Sequence, residues 1–270
     1  MRARRPTAIS VVCPSLTAAS LGSGWISLRS CSAPSEASAV GAARNFSLFG
    51  RRRGRALRPG QKVLIRDFLP QIALTIPVTG DLDPGGLFGA QARPIWLEIG
   101  FGGGEHLADQ AERHPEIGLI GCEVFENGTA KLLARIKRRR IENIRIFTDD
   151  GRVLIAALPP ASIDRVFILF PDPWPKRRHE GRRIVSRTTL DALARVMTDG
   201  AELRLATDDP DLLSWMLERA TDHPAFEWLA RRPRDWCERL PDWPLTRYEE
   251  KARAAGRPAI FLRFRRQVRR

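Results

Sequence analysis

The stretch Trp96-Leu97-Glu98-Ile99-Gly100-Phe101-Gly102-Gly103-Gly104-Glu105-His106-Leu107 passes from a strand-like apolar run into a glycine-rich turn and then into the start of a helix. Glycines at such a turn let the chain fold tightly and bring a ligand close to the backbone. A dinucleotide fingerprint, Gly-x-Gly-x-x-Gly, beginning at Gly100 requires glycine at position 105, and Glu105 stands there instead. A carboxylate at a helix entrance opposes a pyrophosphate. A cofactor without phosphates, carrying an ammonium and a sulfonium, is compatible with acids nearby.

Working outward, strand-like runs alternate with helical patterns from Pro94 onward, the signature of a parallel sheet flanked by helices. The strands are expected at 95–99, 117–123, 144–148, 163–170 and 202–206. Helical spacing is expected over 126–140 and 187–198, where Leu190, Leu193 and Val196 mark a core-facing stripe. The partly alternating segment 260–265 reads as a late strand with one wetter face, and no internal repeat is present.

Acids follow the strands in succession. Gly121-Cys122-Glu123 places a carboxylate at the tip of the second strand, where it can hydrogen-bond both hydroxyls of a ribose. The third leads into Thr148-Asp149-Asp150-Gly151, where a side chain can hold the amino group of an adenine. Each acid alone reads equally well as a helix cap or a surface charge. Together they occupy the carboxyl ends of the strands, where ligands of open parallel sheets sit.

The fourth strand runs into Phe170-Pro171-Asp172-Pro173-Trp174-Pro175-Lys176. Three prolines in five positions stiffen the backbone and remove three donors, so Asp172 is held at the edge of the sheet. Six cations, Lys176, Arg177, Arg178, Arg182, Arg183 and Arg187, follow within twelve residues. Phosphate contact is the natural use of such a run. A solvated charged loop is the alternative.

The chain's 270 residues, 43% hydrophobic, can bury one sizeable core. Its net charge of +14 is concentrated early. Residues 1–60 carry ten arginines against the single acid Glu36, leaving 35 basic and 30 acidic side chains in the remainder. Nine serines in the first forty positions, with few acids, read residues 1–45 as a disordered extension or a start assigned too far upstream, in preference to a targeting segment. No apolar run approaches the roughly 20 residues that span a bilayer. The cysteines at 13, 31, 122 and 237 and the histidines at 106, 114, 179 and 223 have no metal-ligand spacing. No metal and no membrane partner are therefore expected, and a reduced, cytoplasmic setting fits.

Four segments in this order, Leu97-Glu98-Ile99-Gly100-Phe101-Gly102, Phe170 to Trp174, Ala206-Thr207-Asp208 and Thr246-Arg247-Tyr248-Glu249, resemble the bacterial tRNA (guanine-N(7)-)-methyltransferase family. The resemblance covers residues 46–270. It implies a Rossmann-like class I methyltransferase: an α/β fold with a mostly parallel sheet, helices on both faces and a late antiparallel strand. It implies S-adenosyl-L-methionine as cofactor and tRNA as partner, with methylation at N7 of guanosine 46 in the variable loop. Glu98, Gly100, Gly102, Glu123, Asp150 and Asp172 are then expected around the cofactor, with Asp172 catalytic. Lys176, Asp208, Thr246, Arg247, Tyr248 and Glu249 are expected on the guanosine, and Arg178, Arg182 and Arg183 beside the RNA. A monomer is expected. The long amino-terminal extension departs from the family pattern.

Two other classes share parts of this pattern. An NAD-dependent oxidoreductase shares the glycine turn and Glu123 but not Glu105 or the basic run. A non-catalytic RNA-binding protein needs the charge but not the ordered strand-end acids.

Overall fold

The computed structural model describes residues 49–77, 82–89 and 94–269. The expectation for residues 1–45 lies outside them. From Pro94 the chain builds one seven-stranded sheet: β1 Ile95–Ile99, β2 Gly118–Cys122, β3 Ile144–Phe147, β4 Ile163–Leu169, β5 Met197–Thr207, β6 Phe226–Trp228 and β7 Ile260–Arg266. The spatial order is β3-β2-β1-β4-β5-β7-β6. The first five strands pair in parallel. β7 runs antiparallel to both β5 and β6. The chain reverses its direction of sheet building between β1 and β4, and a crevice opens at the carboxyl ends of such a pair.

Before the sheet, α1 Pro59–Val63 and α2 Leu69–Ile72 flank a π-helical turn at Leu64–Phe68. The later helices are α3 Glu105–Arg113, α4 Glu126–Arg139, α5 Gly151–Ala157, α6 Arg187–Val196, α7 Pro210–Thr221, α8 Arg234–Cys237 and α9 Arg247–Ala254. Short 3-10 turns lie at Gly86–Phe88 and Arg177–Arg182.

Side chains alternate across a strand, so β1 serves two cores. Ile95, Leu97 and Ile99 join Leu154 of α5, Leu193 of α6 and Met216 of α7 on one face. Trp96 joins Leu107 of α3, Leu132 and Ile136 of α4, and Trp243 on the other. The helices thus cover both faces. Leu190, Leu193 and Val196 are fully buried, as their helical spacing predicts. Truncating one such leucine to alanine costs about 2–5 kcal/mol through lost transfer energy and the cavity left behind.

Several elements differ from the sequence reading. β5 begins at Met197 rather than 202, passing through Gly200 at φ +83° beside a register shift between Ile163 and Arg165 of β4. The run Thr198-Asp199-Gly200 looks like a turn, and the irregular pairing lets the strand continue through it. β6 is only three residues long and exists by pairing with β7. The helical segment at 59–72 lies outside the expected helices. Its apolar residues Leu64, Ile65, Phe68, Leu69 and Ile72 do follow helical spacing, but Pro59 and Pro70 obscure it. Ala73 bridges Ile146, so this segment covers the outer edge of β3.

Candidate active site

A cavity of about 360 Å³ lies at the carboxyl ends of the central strands. Gly100, Glu123, Asp150, Asp172, Arg182 and Tyr248 line it together, although they are scattered over 149 positions of sequence from 100 to 248. Glu123 follows β2 and anchors the glycine turn: its Oε2 accepts the Gly102 N–H at 2.7 Å and its Oε1 the Phe125 N–H at 2.9 Å. Burial pushes the Glu123 carboxyl up, these backbone N–H groups pull it back, and the Asp172 charge adds a smaller upward push.

The glycine turn is clamped from two sides. Gly102 has φ +56°, and a Cβ there would come within 2.8 Å of the Tyr248 ring. A Cβ at Gly128, in the first turn of α4, would lie 2.2 Å from the Gly102 carbonyl oxygen. A side chain at either position therefore forces the turn, α4 or Tyr248 to move. Tyr248 also stacks on Phe170, with ring centroids 6.4 Å apart and planes 13° from parallel.

Asp150 satisfies both readings of its sequence position. It caps α5 by accepting the Arg152 N–H at 2.9 Å, pairs with the Arg152 guanidinium at 2.6 Å, and lines the cavity. Asp149, also on the cavity wall, pairs with Arg52 at 3.1 Å.

The loop after β4 is under backbone strain. Phe170 at φ +51° and Trp174 at φ +44° adopt the left-handed conformation on either side of Pro171-Asp172-Pro173. Each such residue costs on the order of 1–3 kcal/mol and persists only where its surroundings over-determine it. Here the Phe170 N–H donates to the Ala206 carbonyl at 2.8 Å, and Arg183 Nε donates to the Pro173 carbonyl at 2.9 Å. The Arg183 guanidinium lies over Trp215, whose indole N–H donates to the Val185 carbonyl. Asp172 is left exposed on the cavity wall.

This arrangement corrects one expectation. Arg183, expected beside the RNA, is 6% exposed, and its guanidinium is committed to the loop carbonyls and to Trp215. Its neighbour Arg182 lines the cavity, with its guanidinium 4.7 Å from the Phe49 ring and 5.0 Å from the Trp174 ring. Lys176 and Arg178 are exposed outside the cavity.

Other candidates stand behind the cavity. Glu98 shares the Trp96 face of β1, so it is buried on the α3 side and meets His106 Nδ1 at 2.7 Å instead of lining the cavity. Thr246 is buried as the cap of α9 and accepts the Glu249 N–H. Glu249 is buried between Arg239 at 3.4 Å and Arg253 at 3.0 Å; burial raises its carboxyl, and the two arginines oppose that rise. Asp208 is half-buried against Arg257 at 2.8 Å. Arg247 lies near the Tyr248 ring, and its Nε is shielded from solvent without a hydrogen-bond partner. Among the described residues there is no cluster of three metal-ligating side chains, and no helix is long and apolar enough to cross a membrane.

Residues 92–262 match the family model described as "Putative methyltransferase". The chain is 50% identical over 226 residues to the tRNA (guanine-N(7)-)-methyltransferase of Rhodospirillum rubrum, an alignment covering 82% of this chain and 88% of that protein. The chain belongs to the tRNA (guanine-N(7)-)-methyltransferase family. The family's enzyme from Paramagnetospirillum magneticum is 49% identical over 230 residues, covering 84% and 96% of the two chains. Among solved structures the chain is similar to the 16S rRNA methyltransferase KamB, with a TM-score of 0.48 and 16% identity over 65% of this chain and 88% of that one.

One wall of the cavity has no counterpart among the residues expected from sequence. Phe49, Gly50 and Arg51 form it. The strap continues along α4: the Arg52 carbonyl accepts the Glu126 N–H at 2.9 Å, and Asn127 bonds both the Gly54 N–H and the Arg55 carbonyl at 2.7 Å. The arginine run at 51–55 was the available signal. In sequence it reads equally as a contact for RNA phosphates or as a solvated tail, until Asn127, more than seventy residues later, supplies its partner.

Proposed function

We propose that this chain transfers a methyl group from S-adenosyl-L-methionine to N7 of guanosine 46 in the variable loop of tRNA. The observation that carries the reading is the strained Phe170–Trp174 loop, which presents Asp172 to the same cavity as Glu123, Asp150 and the glycine turn. The carboxylates suit a cofactor that bears two positive groups and no phosphate. Glu123 and Asp150 fit its ribose and adenine, and Gly100 leaves the backbone open at the cavity wall.

Bound S-adenosyl-L-methionine supplies an electrophilic methyl group. Guanine N7 carries a lone pair and no proton, so its attack needs no general base. Catalysis then rests on positioning and charge stabilisation. Asp172 orients the base and offsets the positive charge that develops on the purine. Tyr248, stacked on Phe170 at the cavity mouth, offers a ring face to an extruded base. Trp174 sits beside Arg182 at the same rim. Lys176, Arg178 and Arg182 attract the RNA backbone, and Asp208 and Glu249 brace the substrate side through their arginine partners.

The catalytic unit comprises residues 46–270 and acts as a monomer in the cytoplasm. The test is incubation of the chain with labelled cofactor and unmodified tRNA, beside a tRNA whose guanosine 46 is replaced by adenosine. Label appearing in the first tRNA alone, mapped to 7-methylguanosine, is the expected result. Equal labelling of both refutes the position, and no labelling of either refutes the activity.

A further inference from the structure

The basic run at 176–187 lies on one side of the cavity. A second group of cations, which the sequence did not bring together, gathers beside the glycine turn. The glycine turn is the hinge between two helices here: Gly128 of α4 packs against the Gly102 carbonyl, and Tyr248 of α9 packs over Gly102. One helical turn beyond Gly128 stands Lys131, and one turn beyond Arg247 stands Lys251. Arg135, one turn further along α4, donates to the Gly103 carbonyl at 3.2 Å and pairs with Glu105 at 2.8 Å, so its charge is largely spent on the turn.

Lys131, Arg247 and Lys251 have no such use. Among the described residues none of the three has an acidic partner within ion-pair distance, although most other arginines around the sheet do. The acids closest in sequence to them are committed or peripheral: Glu105 serves Arg135, Glu249 is buried between Arg239 and Arg253, and Glu250 is exposed on α9. Arg247 Nε is shielded and without a hydrogen-bond partner, and Lys251 is exposed. Burial lowers the Lys131 ammonium, and the Arg247 charge lowers it further, while Glu105 opposes both. Like charges gathered without counter-charge are costly to the isolated protein, and a polyanion removes that cost.

We propose that Lys131, Arg247 and Lys251 form a second phosphate-binding surface, on the α4–α9 side of the cavity, that holds the backbone of the substrate RNA opposite the 176–187 run. The proposal rests on the RNA-methylating reading of the cavity and extends it. The RNA backbone is gripped on both flanks of the extruded guanosine, with the base entering between Tyr248 and Asp172. Two anchors flanking one nucleotide fix its register far better than one.

The test is the double variant Lys131→Gln/Lys251→Gln, which leaves the residues assigned to the guanosine and to the cofactor untouched. Binding of unmodified tRNA is measured by fluorescence anisotropy across salt concentrations, with Lys131→Arg/Lys251→Arg as a control that keeps the charge. Each lost phosphate contact removes about one unit from the slope of log affinity against log salt. A slope shallower by about two units, an affinity lowered at least tenfold near 0.1 M salt, and an arginine control matching the wild type are expected. A wild-type slope in the glutamine variant, with the thermal midpoint unchanged, overturns the second surface while leaving the function intact. A wild-type chain that neither methylates tRNA nor binds it in a salt-dependent way overturns the function itself, and the inference with it.

Discussion

Two walls of the cavity are built in opposite ways. The loop at 170–187 is fixed from beneath: its prolines limit the backbone, and the buried Arg183 ties the Pro173 carbonyl to the Trp215 ring. The strap at 49–55 lies on the surface, and its Arg52–Asp149 and Arg53–Glu126 pairs involve arginine side chains 61% and 86% exposed. Exposed pairs of this kind contribute about 0–1 kcal/mol each, whereas a donor removed from a buried carbonyl costs about 1–3 kcal/mol. The difference teaches that the wall bearing Asp172 is built for precision. The strap closes a site whose chemistry is set elsewhere.

The sharpest way to break the comparison is at Asp172. Asp172→Asn keeps the shape and loses the charge, and Asp172→Ala loses both. Single-turnover methyl transfer at saturating tRNA and cofactor should fall about 100- to 1000-fold, with alanine at least as slow as asparagine. The wild-type rate should show no requirement for a base titrating near neutral pH, because N7 carries no proton. An alanine variant within about threefold of wild type, roughly 0.7 kcal/mol, would reduce Asp172 to a loop-shaping residue.

Arg183 and Arg178 separate positioning from attraction within one basic run. Arg183→Met keeps an aliphatic stem against Trp215 but leaves the Pro173 carbonyl without its donor. The maximal transfer rate should drop about ten- to 100-fold through misplacement of Asp172, with the salt dependence of tRNA binding unchanged and Arg183→Lys partly restoring the rate. Arg178→Ala should do the reverse, removing about one unit of salt slope while leaving the rate at saturation intact. A lowered slope in the Arg183 variant would return that residue to the RNA surface.

That pair also marks how far the sequence can be read. The alternating pattern from Pro94 onward specified the parallel sheet, because buried parallel strands are near-continuous apolar runs that little else imitates. The strand-end acids Glu123, Asp150 and Asp172 reached one cavity for the same reason, since parallel strands deliver their carboxyl ends to one edge. Adjacent arginines carry no such signal. Arg182 and Arg183 look alike in sequence, and only the indole of Trp215, thirty-two positions beyond Arg183, decides which one is buried. Glu98 and Glu249 were equally opaque, because their partners His106, Arg239 and Arg253 are fixed by face and helix geometry rather than by motif.

The smallest effect is expected at the amino terminus. Deleting residues 1–43 removes the serine- and arginine-rich extension but keeps Phe49, which lines the cavity, and Arg52, whose carbonyl accepts the Glu126 N–H. The deletion removes four arginines, Arg2, Arg4, Arg5 and Arg29, and their loss should slightly weaken long-range attraction of RNA at low salt. Transfer at saturation should stay close to that of the full chain, because the strap's contacts with Asn127 and Asp149 all begin beyond the cut. The measurement is a side-by-side single-turnover assay of both lengths, repeated at low and near-physiological salt. A loss greater than about tenfold at saturation, or roughly 1.4 kcal/mol of transition-state stabilisation, would mean that the first 43 residues take part in the reaction. The strap would then be the end of a longer functional arm, and the contrast between the two walls would have to be redrawn.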